Sequence, residues 1–89
     1  LITREVTLLN VLGLHARAAA RWVQVASRFQ SHLTLSKDGR TVDAKSILGV
    51  LMLAASQGER LILSAEGPDA EQAVEALAAL IRSRFGESR

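Results

Sequence analysis

The spacing between apolar residues changes along this chain from about two to about 3.6 and back again, and that alternation limits the fold more than any other feature. Residues 2–9 alternate, with Ile2, Val6 and Leu8 on one face and Thr3, Glu5 and Thr7 on the other, interrupted at Arg4. This is the pattern of a half-buried strand. From Ala16 to Phe29 the period lengthens: Ala19, Trp22, Val23, Ala26 and Phe29 share one side, and Arg17, Arg21, Gln24 and Arg28 the other. An amphipathic helix with a basic outer face is expected there. Leu33 and Leu35 restore the alternation, "KDGR" supplies a turn, and Thr41 to Ala44 complete a hairpin. Ser46 then stands as an N-cap before the short apolar run "ILGVLML". After Gly58, Leu61 to Leu63 read as a last strand. The second long helix follows Asp69, whose spacing to Gln72 resembles a capping box; Ala70, Ala73, Val74, Leu77, Leu80 and Ile81 form its buried stripe.

The order is β-α-β-β-α-β-α, and such an alternation is satisfied by helices packed on one face of a sheet. The expected fold is α+β: an open-faced sandwich with a four-stranded, mostly antiparallel sheet under three helices. With 89 residues there is material for one core, so residues 1–89 are read as a single domain. The tail "GESR" is expected to fray.

Composition narrows the chemistry. There is no cysteine, which removes disulfides and thiolate metal sites. With His15 and His32 the only histidines, no metal centre and no cofactor are expected. No apolar run approaches the ~20 residues of a membrane-spanning helix, and a cytosolic location without membrane insertion is expected. The net charge of +2 is small, but its distribution is uneven. Between residues 15 and 45, Arg17, Arg21, Arg28, Lys37, Arg40 and Lys45 face only Asp38 and Asp43; residues 59–77 are acidic apart from Arg60. The first stretch favours an anionic group or an acidic partner. Nucleic acid is not the expected partner, because base stacking on a sheet needs exposed aromatics, and Trp22, Phe29 and Phe85 all fall on expected helices.

The stretch "GLHARAAA", residues 13–20, carries the most specific chemistry. A helix that starts after His15 points the free N–H groups of Ala16, Arg17 and Ala18 toward the imidazole. The positive end of the helix favours a neutral, nucleophilic ring. The same amides, with the Arg17 guanidinium, would cradle a phosphoryl group attached to that ring. Gly13 lets the backbone turn tightly into the helix. On local physics alone a second reading stays open, in which His15 is an N-cap and Arg17 a solvated charge. Trp22 and Phe29 read as core, His32 as a surface residue, and Lys45 as support for the serine helix.

"GLHARAAA", followed about thirty positions later by "AKSILGVLML" and then by "GPDAEQAVEAL", resembles the histidine-containing phosphocarrier (HPr) family of the bacterial phosphotransferase system. The likeness runs from "EVTLLN" to "ALIR". It implies a phosphoryl carrier rather than a free-standing catalyst: Enzyme I phosphorylates Nδ1 of His15, and a permease IIA domain receives the group. By the same resemblance Arg17 and the amides of Ala16, Arg17 and Ala18 hold the phosphoryl group. Ser46 matches the serine modified, in many bacteria, by HPr kinase/phosphorylase. Ile47, Leu48 and Leu51 match the apolar patch that docks partners, and a monomer is expected. The family motif has proline after the arginine, where this chain has Ala18. That departure leaves a sugar carrier, a nitrogen-branch or regulatory paralogue, and the carrier domain of a fusion protein all open.

Overall fold

The computed structural model describes residues 1–89. Its elements run β1 (Ile2–Thr7), α1 (Ala16–Ala26), β2 (His32–Lys37), β3 (Arg40–Asp43), α2 (Ile47–Met52), β4 (Arg60–Glu66) and α3 (Ala70–Arg82), followed by a 3₁₀ turn at Arg84–Gly86. The strands form one sheet in the order β1-β4-β2-β3, and every pairing is antiparallel. Alternation decides which face is covered. Val6, Leu33, Leu35, Leu61, Leu63 and Ala65 are buried, while Thr3, Glu5, Thr7, His32, Ile62 and Glu66 are exposed on the other face. The helices therefore cover one side only.

Arg4 shares the buried face, opposite Leu63, yet β1 lies at the sheet edge, from which its guanidinium reaches Glu75 of α3 at 2.5 Å. That contact is the physical reason a charge is tolerated in an otherwise apolar row. Trp22 is fully buried where α1 meets the connection before α2, and its indole N–H donates to the Ala44 carbonyl at 3.0 Å. The hairpin between β2 and β3 turns at Asp38 and Gly39, both with positive φ, as a two-residue primed turn requires.

Three sequence expectations need correction. Helix α1 stops at Ala26, not Phe29. Beyond it the N–H groups of Arg28 and Phe29 bond three residues back, the Phe29 carbonyl accepts from the Lys45 ammonium at 2.7 Å, and Phe29 is only half-buried. Lys45 thus ties down the exit of α1. Second, Asp69 makes no side-chain cap for α3. Its carboxylate instead accepts from the Gln30 and Ser31 N–H groups, each at 2.9 Å, and from the Ser31 hydroxyl at 2.5 Å. Third, the tail is not frayed: the Val11 N–H donates to the Arg89 carbonyl at 3.3 Å, and Phe85 is buried.

The Asp69 contact has a pH signature. Hydrogen bonds from Ser31 and then from the Gln30 amide hold the Asp69 carboxyl below its ordinary value of 3.8, against an opposing push from burial. The folded carboxyl therefore binds its proton less tightly than the unfolded one. Its stabilisation is full above the unfolded value and is lost as pH falls through the folded one. Asp69→Asn is expected to lower the urea midpoint at pH 7 and to flatten the acid limb of midpoint against pH below about 4. Parallel curves for variant and wild type would show that the carboxylate charge contributes nothing.

Candidate functional site

The site begins with a turn. The Asn10 amide donates to the Gly13 carbonyl at 2.8 Å, and the Gly13 N–H donates back to the Asn10 carbonyl at 3.2 Å. Gly13 adopts φ +64, and a Cβ there would stand 2.4 Å from the Ala55 carbonyl oxygen. Glycine is required on both counts. Leu14 then enters the core and donates its N–H to that same Ala55 oxygen at 3.0 Å, which fixes the direction in which the next residue leaves.

That next residue is His15, in extended conformation as the N-cap of α1. Its carbonyl accepts the first intrahelical bond, from Ala19 at 2.8 Å, so the amides of Ala16, Arg17 and Ala18 lie in the unpaired first turn. The Arg17 N–H donates to His15 Nδ1 at 3.3 Å. Ala16 and the Arg17 side chain are exposed, whereas the Ala18 side chain is fully buried. The structure thus brings together the residues that the motif singled out: a half-exposed imidazole with Nδ1 turned to a helix N-terminus, beside a guanidinium with no carboxylate partner.

Two polar residues join this site that the sequence reading did not include. The 3₁₀ turn carries the tail back across the start of α1, where one Glu87 carboxylate oxygen bonds His15 Nε2 and the other accepts from the Asn10 amide at 3.0 Å. Burial pushes the Glu87 carboxyl up, but the hydrogen bonds from Asn10 and His15 and the charges of His15 and Arg17 outweigh it and hold the group below the ordinary value of 4.5. The imidazole therefore lies between two opposed fields, the helix end at Nδ1 and a carboxylate at Nε2. A cleft of about 640 Å³ opens beside the ring, lined by the apolar Val11 and Leu12 and by the charged Arg17, Glu87 and Arg89.

The second candidate region is α2. Ser46 is its N-cap, with Oγ accepting from the Gly49 N–H at 3.1 Å. Ile47 and Leu48 are exposed, as expected for docking, and Met52 joins them. Leu51 does not: it is half-buried against the core. Leu9, Val11 and Leu12, on the loop leading to His15, are further exposed apolar side chains that strand periodicity did not flag.

Comparison with known proteins agrees with this geometry. Residues 2–83 match the family model described as "PTS HPr component phosphorylation site". The phosphocarrier protein HPr of Cupriavidus necator is 52% identical over 87 residues, covering 98% of both chains. The phosphocarrier protein NPr of Shewanella violacea is 39% identical, covering 98% of this chain and 96% of that one. The crystal structure of HPr-C-His from Thermoanaerobacter tengcongensis superposes with a TM-score of 0.97 at 47% identity, covering 100% of both chains. A match of this extent, in a chain whose all-antiparallel sheet and helix-capping histidine had already set the frame, means that it belongs to the HPr phosphocarrier family of the phosphotransferase system.

Proposed function

We propose that this protein accepts a phosphoryl group from phospho-Enzyme I on Nδ1 of His15 and passes it to the IIA component of a sugar permease, as a cytosolic relay. The observation that carries this reading is the orientation of His15. Nδ1 accepts from the Arg17 amide and so turns its lone pair to the helix N-terminus, where the Ala16 and Ala18 amides, which have no intrahelical acceptor, the Arg17 amide once Nδ1 releases it, and the Arg17 guanidinium favour a bound phosphoryl anion. Incubation with Enzyme I and labelled phosphoenolpyruvate tests it: acid-labile, alkali-stable label on the protein is expected, and its absence would end the reading. Ala18 in the motif and the likeness to an NPr protein support a second reading, the nitrogen branch. Faster labelling by a nitrogen-branch Enzyme I than by its sugar-branch counterpart would select it.

Arg17 supplies an exposed charge-assisted donor, so Arg17→Ala is expected to keep the fold and to weaken the hold on the transferring group by roughly 1.5–3 kcal/mol, about ten- to a hundredfold in rate. Unchanged stopped-flow transfer would remove Arg17 from the site.

Ser46 is proposed as a regulatory phosphorylation site for HPr kinase/phosphorylase, and Ile47 and Leu48 as partner contacts. A negative charge at the α2 N-cap is compatible with the helix dipole, so the fold tolerates it, while the neighbouring exposed Ile47 and Leu48 make a charged group costly in an apolar interface. Ser46→Asp is expected to raise KM for Enzyme I by about tenfold with the melting temperature unchanged within a few degrees. Equal KM values would count against this role.

A further inference from the structure

Glu87 lies outside every motif in the chain, yet the structure holds it in place at the turn before it, at its backbone and at its carboxylate. Arg84 and Phe85 both adopt φ 56, and two consecutive left-handed non-glycine residues are costly. Burial of the Phe85 ring offsets that cost. The turn closes with the Glu87 N–H on the Arg84 carbonyl at 2.9 Å. Asn10, itself fully buried, fixes one carboxylate oxygen and leaves the other for His15 Nε2.

We infer that Glu87 is a positioning residue for phosphoryl transfer, selecting the Nε2–H tautomer of His15 and balancing the charge that the ring acquires when Nδ1 bonds phosphorus. The inference rests on His15 being the phosphoryl acceptor. A neutral imidazole has one N–H, and its two ring nitrogens face opposite demands here. The Glu87 carboxylate can only accept, so it takes the proton-bearing nitrogen; the Arg17 amide can only donate, so it faces the lone pair. Both contacts select the nucleophilic form at Nδ1.

During transfer the Nδ1 lone pair forms the N–P bond as the donor's bond to phosphorus breaks, and that electron pair leaves with the donor. The ring keeps its proton on Nε2 and becomes cationic, opposite a fixed carboxylate. In onward transfer the N–P pair returns to Nδ1 and the ring leaves as neutral imidazole with Nε2–H in place. No other proton acceptor is required in either direction. Arg17 and Arg89, the other charged side chains lining this cleft, are common to wild type and the Glu87 variants, so a difference in pH profile between them reports Glu87.

Glu87→Gln removes the charge and keeps the shape: its one amide oxygen can still accept from Nε2–H, at the loss of the bond from the Asn10 amide. Glu87→Ala removes both. Ring ¹⁵N shifts of the unphosphorylated protein in mild alkali are expected to show the Nε2–H form dominant in wild type and Glu87→Gln, and a mixture of tautomers in Glu87→Ala. Label transfer from phospho-Enzyme I is expected to slow by about tenfold or more in both variants, through kcat rather than KM. The pH at which the phosphorylated protein loses its label fastest is expected to move lower in Glu87→Gln, since the ring cation has lost its counter-charge. Equal rates and equal pH profiles for Glu87→Gln and wild type would overturn the inference, as would faster transfer in Glu87→Ala, which would mark the tail as a cover over the site. Should wild type take no label on His15, the phosphocarrier reading fails, while the ¹⁵N shifts still decide whether Glu87 sets the tautomer.

Discussion

His15→Ala is expected to accept no acid-labile phosphoryl group from phospho-Enzyme I while keeping its fold. The substitution removes the proposed nucleophile, and no neighbouring side chain replaces it: the Arg17 guanidinium offers only donors, and Glu87 would lose its partner in the ring. His32, the other histidine, is exposed at the start of β2, where it pairs with Glu66 across the sheet and faces no helix N-terminus. The structural cost is that of a cap and of the Glu87 contact at Nε2. The Arg17 amide loses an acceptor, which is worth about 0.5–2 kcal/mol in general, and the 3.3 Å contact here belongs at the low end. Asparagine preserves a capping acceptor without a phosphoryl-accepting ring or the Glu87 contact, so His15→Asn should lie between wild type and His15→Ala in thermal stability and match His15→Ala in lack of labelling. Acid-labile label on either variant, localised to His32 by peptide mapping, would relocate the acceptor and remove the central claim.

How much of this was legible in the sequence depends on the range of the interaction involved. The faces of β1, β2 and β4 and the buried stripes of α1 and α3 follow from local period, because an apolar residue at the wrong phase would face water. The "GLHARAAA" stretch could also be read, since a helix end, its N-cap and its free amides are neighbours in the chain. Sheet order was not legible. Alternation says which side of a strand is buried but not that β4 runs between β1 and β2, a choice made by long-range packing.

Asp69 and Glu87 show the same limit at single carboxylates. The Asp69 spacing to Gln72 satisfied a local rule, yet three donors from Gln30 and Ser31, 39 and 38 residues away in sequence, offered more than one cap bond. Glu87 meets His15 across 72 residues, and one acidic residue in a short polar tail has no period to betray it. The available signal was its neighbour: a phenylalanine next to a glycine just past a helix says that the end turns back and is pinned. Leu51 and Met52 fail for a different reason. In a six-residue helix made almost wholly of apolar residues, no stripe stands out from the rest, and only the packed structure decides that Leu51 turns inward and Met52 outward.

Gly13→Ala is expected to destabilise the protein by roughly 2–5 kcal/mol, with two separable causes. The first is conformational: φ +64 costs an alanine about 1–2 kcal/mol. The second is steric. A Cβ at Gly13 would lie 2.4 Å from the Ala55 oxygen and 2.9 Å from Ser56 Cα, both backbone atoms that cannot rotate away. Relief requires the loop at Ala55 to move, and that loop holds the Leu14 N–H at 3.0 Å. The residue displaced next is His15, so transfer should slow even where the variant remains folded. Gly58 provides the control, because its φ is +84 but a Cβ there meets nothing within 4 Å. Gly58→Ala therefore has the conformational penalty alone, about 1–2 kcal/mol, with phosphoryl transfer unchanged. Urea midpoints at constant m-value measure both variants. If Gly13→Ala and Gly58→Ala lose equal stability and both transfer normally, the close approach to Ala55 does not position the histidine, and the tight turn serves only to reverse the chain.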